Sequence, residues 1–333
     1  MSNLKITIIG GSGFIGTRLC DRLIKSDLDF KIIDKVKSLK FPNKTVIGDV
    51  RSLDSLIGSI EPNEILINLA AEHKDDVYPR SLYHDVNVSG AINVCALAEK
   101  KNLRTIIFTS SVAVYGFAPL GTDESGSLNP FNDYGKTKYE AELVYKKWQQ
   151  EDPKNRTLVI IRPTVVFGER NRGNVYNLLK QIVSGKFVMV GDGLNRKSMA
   201  YVENIAAFIE YCLTLKSGIH IYNYADKPDF TMNDLVSHIR KIVGRSDKAR
   251  FRLPYFAGFL IGRTFDLLAF IMRKKFSISS IRIKKFCSNS VYESAVSSSG
   301  FIPPVDLVEG IKSTVRFEFL EDHRADKEVY FTE

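Results

Sequence analysis

Gly10-Gly11-Ser12-Gly13-Phe14-Ile15-Gly16 follows the apolar run Leu4–Ile9 and decides how the first half of the chain is read. A short buried strand that enters a glycine turn and then a helix leaves main-chain N–H groups unpaired at the helix start. Glycine lets an anion approach those groups, and the helix dipole favours its charge. The glycines stand as Gly10-x-x-Gly13-x-x-Gly16, not in the commoner G-x-G-x-x-G order. Tight turns use glycine for conformational reasons alone, so the turn needs support from elsewhere. Asp34 gives it by ending the run Phe30-Lys31-Ile32-Ile33, where a carboxylate would meet the ribose hydroxyls of a dinucleotide. Tyr134-Gly135-Lys136-Thr137-Lys138 adds a second support, because helical residues four apart share a face.

Outward from that stretch the pattern alternates. Apolar runs predict strands at 4–9, 29–34, 44–48, 64–70, 104–110 and 157–162, with helices at 14–26, 52–59, 80–102 and 133–152. That order predicts an α/β fold, a Rossmann-type doubly wound parallel sheet over residues 1–165. After Arg162-Pro163 the rhythm loosens around Gly168, Gly173, Pro228, Pro254, Pro303 and Pro304. Residues 166–320 are expected to form mainly a smaller α/β substrate lobe, with elements returning to the first domain and helices near 201–215, 231–243 and 306–319. Residues 321–333 read as a charged, frayed tail.

The composition is that of a globular protein, with 44% hydrophobic and 26% charged residues. Cys20, Cys95, Cys212 and Cys287 are far apart and form no C-x-x-C pair, which argues against a metal site or disulfide framework and fits a reducing cytosol. No basic segment followed by an apolar one precedes Gly10, so no signal peptide is expected. The formal charge is +9, and it is local: residues 240–290 hold thirteen Lys/Arg against Asp247 and Asp266. Such a patch suggests an anionic partner. Leu253–Phe276 is apolar but broken by Arg263 and Asp266, which suits a helix or helix pair lying at a membrane interface with Arg273, Lys274 and Lys275 near anionic headgroups. A lobe core helix with a solvated basic face fits the same residues. No aromatic-interleaved motif supports nucleic-acid binding.

The chemistry centres on Tyr134 and Lys138. A phenol of pKa about 10 is a poor base at neutral pH, and a lysine ammonium one helical turn away, with a cationic nicotinamide ring, would help it ionise. Ser111 follows the fifth predicted strand, outside the carboxyl ends of the strands where open α/β folds bind ligands. Thr109 and Ser110 are expected to make local turn bonds. Asp49 is read equally as an adenine contact or a solvated turn residue, and His73, in Glu72-His73-Lys74-Asp75-Asp76, as a solvated loop residue.

Taken in order, Gly10/Gly13/Gly16, Asp34, Leu69-Ala70-Ala71, Ser110-Ser111, Val114-Tyr115-Gly116, Tyr134/Lys138 and Arg162-Pro163 resemble the extended short-chain dehydrogenase/reductases, in their nucleotide-sugar epimerase/dehydratase group. The resemblance implies an NAD cofactor held by Gly10, Gly13, Phe14, Ile15, Gly16, Asp34, Lys35, Asp49, Val50, Leu69, Ala70, Ala71, Tyr134, Lys138 and Pro163. It implies Tyr134 as acid/base, Lys138 on the nicotinamide ribose and Ser111 on the reacting sugar oxygen, with Glu72, Asn174, Lys197 and Arg282 as further substrate contacts. Dehydratases of the group have Thr-Asp-Glu where this chain has Ser111-Val112-Ala113, which sets dehydration aside.

Ala70–Val77, Arg162–Leu179, Lys197–Asn204 and Arg282–Cys287 narrow the likeness to a lipid-linked subgroup. These are 4-epimerases that interconvert GlcNAc and GalNAc on undecaprenyl diphosphate for O-antigen synthesis, which implies a place on the cytoplasmic face of the inner membrane. Lys197-Ser198-Met199 stands where enzymes of soluble UDP-sugars usually have Arg-Asp-Phe. A soluble UDP-HexNAc 4-epimerase, an NAD(P)H-dependent 4-ketosugar reductase and a non-catalytic dinucleotide-binding scaffold remain as alternatives, and a homodimer stays open.

Overall fold

The computed structural model describes residues 4–74, 77–246, 251–272, 279–323 and 328–332. In the first half the elements are β1 (Lys5–Ile9), α1 (Phe14–Lys25), β2 (Asp29–Asp34), β3 (Thr45–Ile47), α2 (Leu53–Ile57) and β4 (Ile65–Asn68). Then come α3 (Ser81–His84), a π-turn (Asp85–Ser89), α4 (Gly90–Lys100), β5 (Thr105–Thr109), α5 (Asp133–Glu151) and β6 (Thr157–Pro163). The second half continues with β7 (Val165–Phe167), α6 (Asn174–Ser184), β8 (Val188–Val190), β9 (Arg196–Tyr201), α7 (Val202–Cys212) and β10 (Gly218–Tyr224). Last are β11 (Asp226–Thr231), α8 (Met232–Ile242), β12 (Phe251–Leu253), α9 (Tyr255–Met272), α10 (Ser280–Cys287) and α11 (Leu307–Phe319).

Seven parallel strands form the main sheet in the order β10-β6-β5-β4-β1-β2-β3. Its short Ile/Leu/Val strands are buried on both faces, as a parallel sheet covered by helices requires. On one face Ile6, Ile8 and Ile32 pack with Leu19 of α1 and Phe208 of α7. On the other, Ile9, Ile33 and Leu66 lie in one cluster with Val94 of α4 and with Tyr145 and Trp148 of α5. The strand order reverses at β1, so a crevice opens beyond the carboxyl ends of β1 and β4. Strand β10 comes from the second half of the chain, yet pairs residue for residue with β6 from Gly218↔Thr157 to Tyr224↔Pro163.

The remaining elements build a lobe around β11-β9-β7 and the parallel pair β12-β8. Its core joins Phe167, Met189, Met199, Leu235 and Val315, and also takes in Phe14, the first residue of α1. The tail is not frayed where it is described. Tyr330 Oη donates to Thr17 Oγ1 at 2.7 Å, and its main chain exchanges bonds with Arg170 and Arg172. The aromatic ring of Tyr330, set in a polar stretch, supplies the contact that the overall charge conceals.

A buried ion pair ties α5 to the sheet. Arg162 of β6 and Glu142 of α5 are 1% and 0% exposed, so they lie almost wholly out of water. Arg162 donates to Glu142 through Nε at 2.9 Å and Nη2 at 2.6 Å, and through Nη1 to Tyr115 Oη at 2.6 Å. Tyr115 Oη in turn donates to Asn223 of β10 at 2.8 Å. Breaking such a pair leaves an uncompensated buried charge. Glu142→Gln should therefore lower stability by about 3–5 kcal/mol, read from the urea midpoint. Adding Arg162→Met should recover much of the loss; a double variant no more stable than the single would contradict this account.

Candidate active site

The glycine turn has no room for side chains at two points. Gly10 has φ +78°, and a Cβ on it would lie 2.6 Å from the Ala70 nitrogen; one on Gly16 would lie 2.5 Å from the Gly11 backbone. The first brings β1 against Leu69-Ala70 at the end of β4, where Leu69 N–H donates to Ile9 O at 2.8 Å. Gly13 precedes α1 with extended backbone and no side-chain cap, so the first-turn N–H groups receive no cap from it. Asp34 holds the turn from the end of β2: Oδ2 accepts the Ser12 N–H at 3.0 Å and Oδ1 the Val36 N–H at 3.2 Å. A close-approach turn, an uncapped helix start and an acid at the end of β2 together fit a dinucleotide.

The other expected cofactor residues surround this turn in different ways. Phe14 is buried by its side chain in the lobe core, Ile15 packs partly against both the main and lobe cores, and Lys35 is exposed. Val50 is buried against α4, where a Cβ on Gly90 would lie 3.0 Å from it. Ala71 is half-buried, and Pro163 ends β6. Asp49 is grasped by Arg51, with Nη2 at 2.6 Å from Oδ2, and that pairing holds its carboxyl below the usual carboxylate range.

The candidate catalytic residues come together through α5. Its N-cap is Asn132, whose Oδ1 accepts the Gly135 N–H at 2.9 Å. Gly135 explains the Tyr-Gly-Lys spacing: a Cβ there would stand 2.5 Å from Ala113 O, so only glycine lets α5 approach the 112–115 turn so closely. Ser111 caps that turn, its Oγ accepting the Ala113 N–H at 3.1 Å. Tyr134, beside Gly135, is half-buried. One turn on, Lys138 is 1% exposed, donates through Nζ to Thr109 O at 2.7 Å and lies 4.6 Å from the Phe108 ring centre. Glu142 follows on the same face.

Thr109 and Ser110 do not make the expected turn bonds. Thr109 Oγ1 donates to Asn68 O on the neighbouring strand at 3.3 Å, and Ser110 Oγ donates to Glu142 Oε1 at 2.6 Å. Both hydroxyls point across the sheet end, where buried acceptors are close. His73 is half-buried, not a solvated loop residue; burial lowers its imidazole pKa, with a backbone bond at Ala71 opposing the shift. Lys74 O accepts the Tyr83 hydroxyl, which helps fold this segment inward. Asp75 and Asp76 lie outside the described residues.

Asn87, which sequence reasoning missed, ties the Glu72 loop to α5. Its Oδ1 accepts the Glu72 N–H at 2.9 Å, while Nδ2 donates to Glu72 O and to Thr137 Oγ1, each at 3.0 Å. It sits on the π-turn inside the predicted 80–102 helix, and a π-turn has no simple apolar period to reveal it. Asn174, exposed, opens α6, behind a loop clipped by Asn171 Oδ1 to Gly173 N–H at 2.7 Å. Lys197 does not present its ammonium freely: Nζ donates to Lys285 O at 2.8 Å and so pins α10 to β9. Arg282 is on the exposed side of α10.

Burial pushes the Lys138 ammonium down to about 7, against an opposing pull from Glu142, and that of Lys197 down to about 8. An unfolded lysine titrates near 10.4, so between about 7 and about 10 the unfolded chain binds more protons, and stability should rise with pH. Lys138→Met should flatten that rise in urea midpoints taken across the window. An unchanged slope would contradict a lysine at this position whose proton affinity is lowered by burial.

Residues 6–225 match the family model described as "NAD dependent epimerase/dehydratase family". The chain is 48% identical over 326 residues to the N-acetyl-alpha-D-glucosaminyl-diphospho-ditrans,octacis-undecaprenol 4-epimerase of Escherichia coli O157:H7, covering 97% of this chain and 98% of that one. It is 27% identical to a putative UDP-glucose 4-epimerase of Methanocaldococcus jannaschii, over 94% of this chain and 97% of that one. In three dimensions it resembles UDP-glucose 4-epimerase from Thermotoga maritima (TM-score 0.73, 20% identity, 94% of this chain and 98% of that one). UDP-N-acetylglucosamine 4-epimerase from Bacillus cereus is similar too (TM-score 0.74, 16% identity, the same coverages). The structural likenesses speak for the fold. With the family model matching most of the chain and a relative at 48% identity over nearly all of it, the protein belongs to the NAD-dependent epimerase/dehydratase family.

Proposed function

We propose that this protein inverts C4 of an N-acetylhexosamine, interconverting GlcNAc and GalNAc on a diphosphate whose carrier is undecaprenol, for surface-polysaccharide synthesis. The observation that carries the reading is the 48% identity, over nearly the full length of both chains, to an E. coli protein named for that substrate. On this reading the enzyme works as a peripheral protein on the cytoplasmic face of the inner membrane.

The residues gathered at the carboxyl end of β5 support the chemistry. NAD, when bound along the glycine turn, supplies hydride acceptance and return at C4. Tyr134 takes the O4 proton as C4 loses its hydride, and the sugar becomes a 4-keto intermediate, planar at C4. Ser111 holds the reacting oxygen by hydrogen bond and Lys138 steadies the phenolate charge, its own position fixed by the Thr109 carbonyl. Once the ketone presents its other face, hydride returns to C4 and Tyr134 gives the proton back to O4. One hydride and one proton leave and return, so the cycle has no net redox and consumes no cofactor.

Asp34 favours NAD over NADP, because its carboxylate repels a 2′-phosphate where it can bond ribose hydroxyls. Cofactor-stripped protein should regain activity with NAD⁺; recovery with NADP⁺ alone would contradict that role. Tyr134→Phe should abolish turnover while leaving the fold and cofactor binding nearly intact, and Ser111→Ala should slow it by about 10²-fold. Wild-type-like turnover in Tyr134→Phe would remove it from the mechanism. The substrate itself is tested by offering GlcNAc as its undecaprenyl-diphosphate and UDP conjugates with no added cofactor. GalNAc should be released by acid from the lipid conjugate; conversion of the UDP conjugate alone, or a requirement for stoichiometric NAD(P)H, would overturn the proposal.

A further inference from the structure

Helix α9 carries a face that no part of the described chain covers. Phe256, Leu260, Arg263, Leu267, Phe270 and Ile271 are all exposed, Phe256 by 76% and Phe270 by 83%. Their spacing from the first is 4, 7, 11, 14 and 15 residues, which in an α-helix is one stripe along its length. The opposite side is fitted to the lobe through glycine. A Cβ on Gly258 would lie 2.6 Å from Val190 Cγ1, and one on Gly262 would lie 2.8 Å from the Ser280 backbone. A turn further, Asp266 accepts the Ser280 N–H at 3.2 Å, so the acid faces α10 and away from the stripe.

By length and composition α9 could cross a membrane. The packing says otherwise. Ser280, only eight residues beyond the end of α9 at Met272, already lies against Gly262 in the middle of that helix. The chain has therefore doubled back, and α10, about 12 Å long at 1.5 Å per residue, is far too short to recross a hydrocarbon core. The N-terminal part of α9 and the helix that follows it, α10, both pack on the same lobe. A long apolar face that is exposed, on a helix held to the lobe and to α10 at Gly258, Gly262 and Asp266, suits a helix lying in the plane of a lipid surface.

The charges identify the occupant. Arg263 stands within the stripe, and long basic side chains can extend along apolar surface to reach headgroups. The sequence around the stripe is strongly basic, with thirteen Lys/Arg against only two acids among residues 240–290. One of these, Asp266, is turned inward; the other, Asp247, and the basic run Arg273, Lys274 and Lys275 lie outside the described residues. A second copy seated on the stripe about a two-fold axis would set basic surface against basic surface, whereas anionic lipid complements it.

Helix α10 also reaches the site. Lys284 and Lys285 lie over the rings of Phe117 and Phe131, at 5.1 and 5.2 Å, and those rings stack on each other at 4.7 Å. Phe131 is three residues before Tyr134, and Lys197 and Asn195 hold the α10 carbonyls of Lys285 and Phe286 at 2.8 Å. We propose that the outward stripe of α9 seats in the headgroup–acyl boundary of an anionic membrane, and that α10 connects that surface to the mouth of the site. A substrate whose tail remains in the bilayer is then drawn in by its sugar diphosphate. The last step rests on the lipid-carrier reading above; the docking itself does not.

The test is co-sedimentation of the full chain with vesicles of phosphatidylglycerol and phosphatidylethanolamine, in the absence of any sugar substrate. The wild type should bind, more weakly at high salt. Phe256→Asn/Leu260→Asn/Phe270→Asn should partition at least about tenfold less, the loss expected when several interfacial apolar side chains are removed. It should keep wild-type turnover of a short-chain, water-soluble GlcNAc diphosphate, which also shows that it folds. As a second probe, Arg263→Glu should weaken binding to anionic vesicles by roughly tenfold. Unchanged vesicle binding in both variants would overturn the proposal, as would a wild type that ignores vesicles and instead dimerises through the stripe. Vesicle binding by a protein that turns over only UDP-GlcNAc would support the docking surface and overturn the carrier reading.

Discussion

The site depends on one buried contact, the Lys138 ammonium held at 2.7 Å by the Thr109 carbonyl at the end of β5. Taking an ammonium out of water is costly unless a polar partner receives it. The contact therefore fixes both the depth and the rotation of α5. With Lys138 locked, Tyr134 one turn earlier is carried beside the Ser111 turn, and Glu142 one turn later reaches Ser110 and Arg162. Three residues at a spacing of four thus divide the work. The first is placed at the site, the second anchors the helix, and the third joins it to β6 and, through Tyr115 and Asn223, to β10.

This arrangement explains why a strand from the second half of the chain belongs in the first sheet. Asn223 of β10 completes the polar chain behind α5 and also receives support from Glu124, whose Oε1 accepts its N–H at 2.7 Å. The lobe joins the same frame at the other end of the crevice. Phe14 enters the lobe core, Arg18 of α1 meets Glu169 and Glu203 at 3.2 and 3.1 Å, and the Tyr330 ring packs tilted against Phe14 with ring centres 5.8 Å apart. Residues that position the glycine turn and residues that build the substrate side are therefore mechanically joined.

Much of this was legible in the sequence, for reasons that are local. Parallel strands buried on both faces read as runs such as Ile65-Leu66-Ile67, and α1 and α5 stand beside their glycine turn and their Tyr/Lys pair. What the sequence concealed is long-range or irregular. The pairing of β10 with β6 joins Gly218 to Thr157, and no nearby residue specifies it. Asn87 works from a π-turn, and Glu142 resembles one more surface acid until Arg162 is seen beside it. The tail was misread because net charge outweighed one aromatic residue. His73 was misread because the charged residues around it hid a loop that folds inward. The apolar α9 segment gave its composition plainly, but the return of the chain to Gly262, which argues against a crossing, is a long-range contact that the composition does not show.

The central claim is that one closed set of residues takes C4 of the sugar through a ketone and back without exchange with solvent. The direct measurement is conversion of polyprenyl-diphosphate-linked GlcNAc carrying deuterium at C4, followed by mass analysis of the released GalNAc. Retention of the deuterium at C4 through inversion is the predicted result. Its replacement by hydrogen from water would contradict the account.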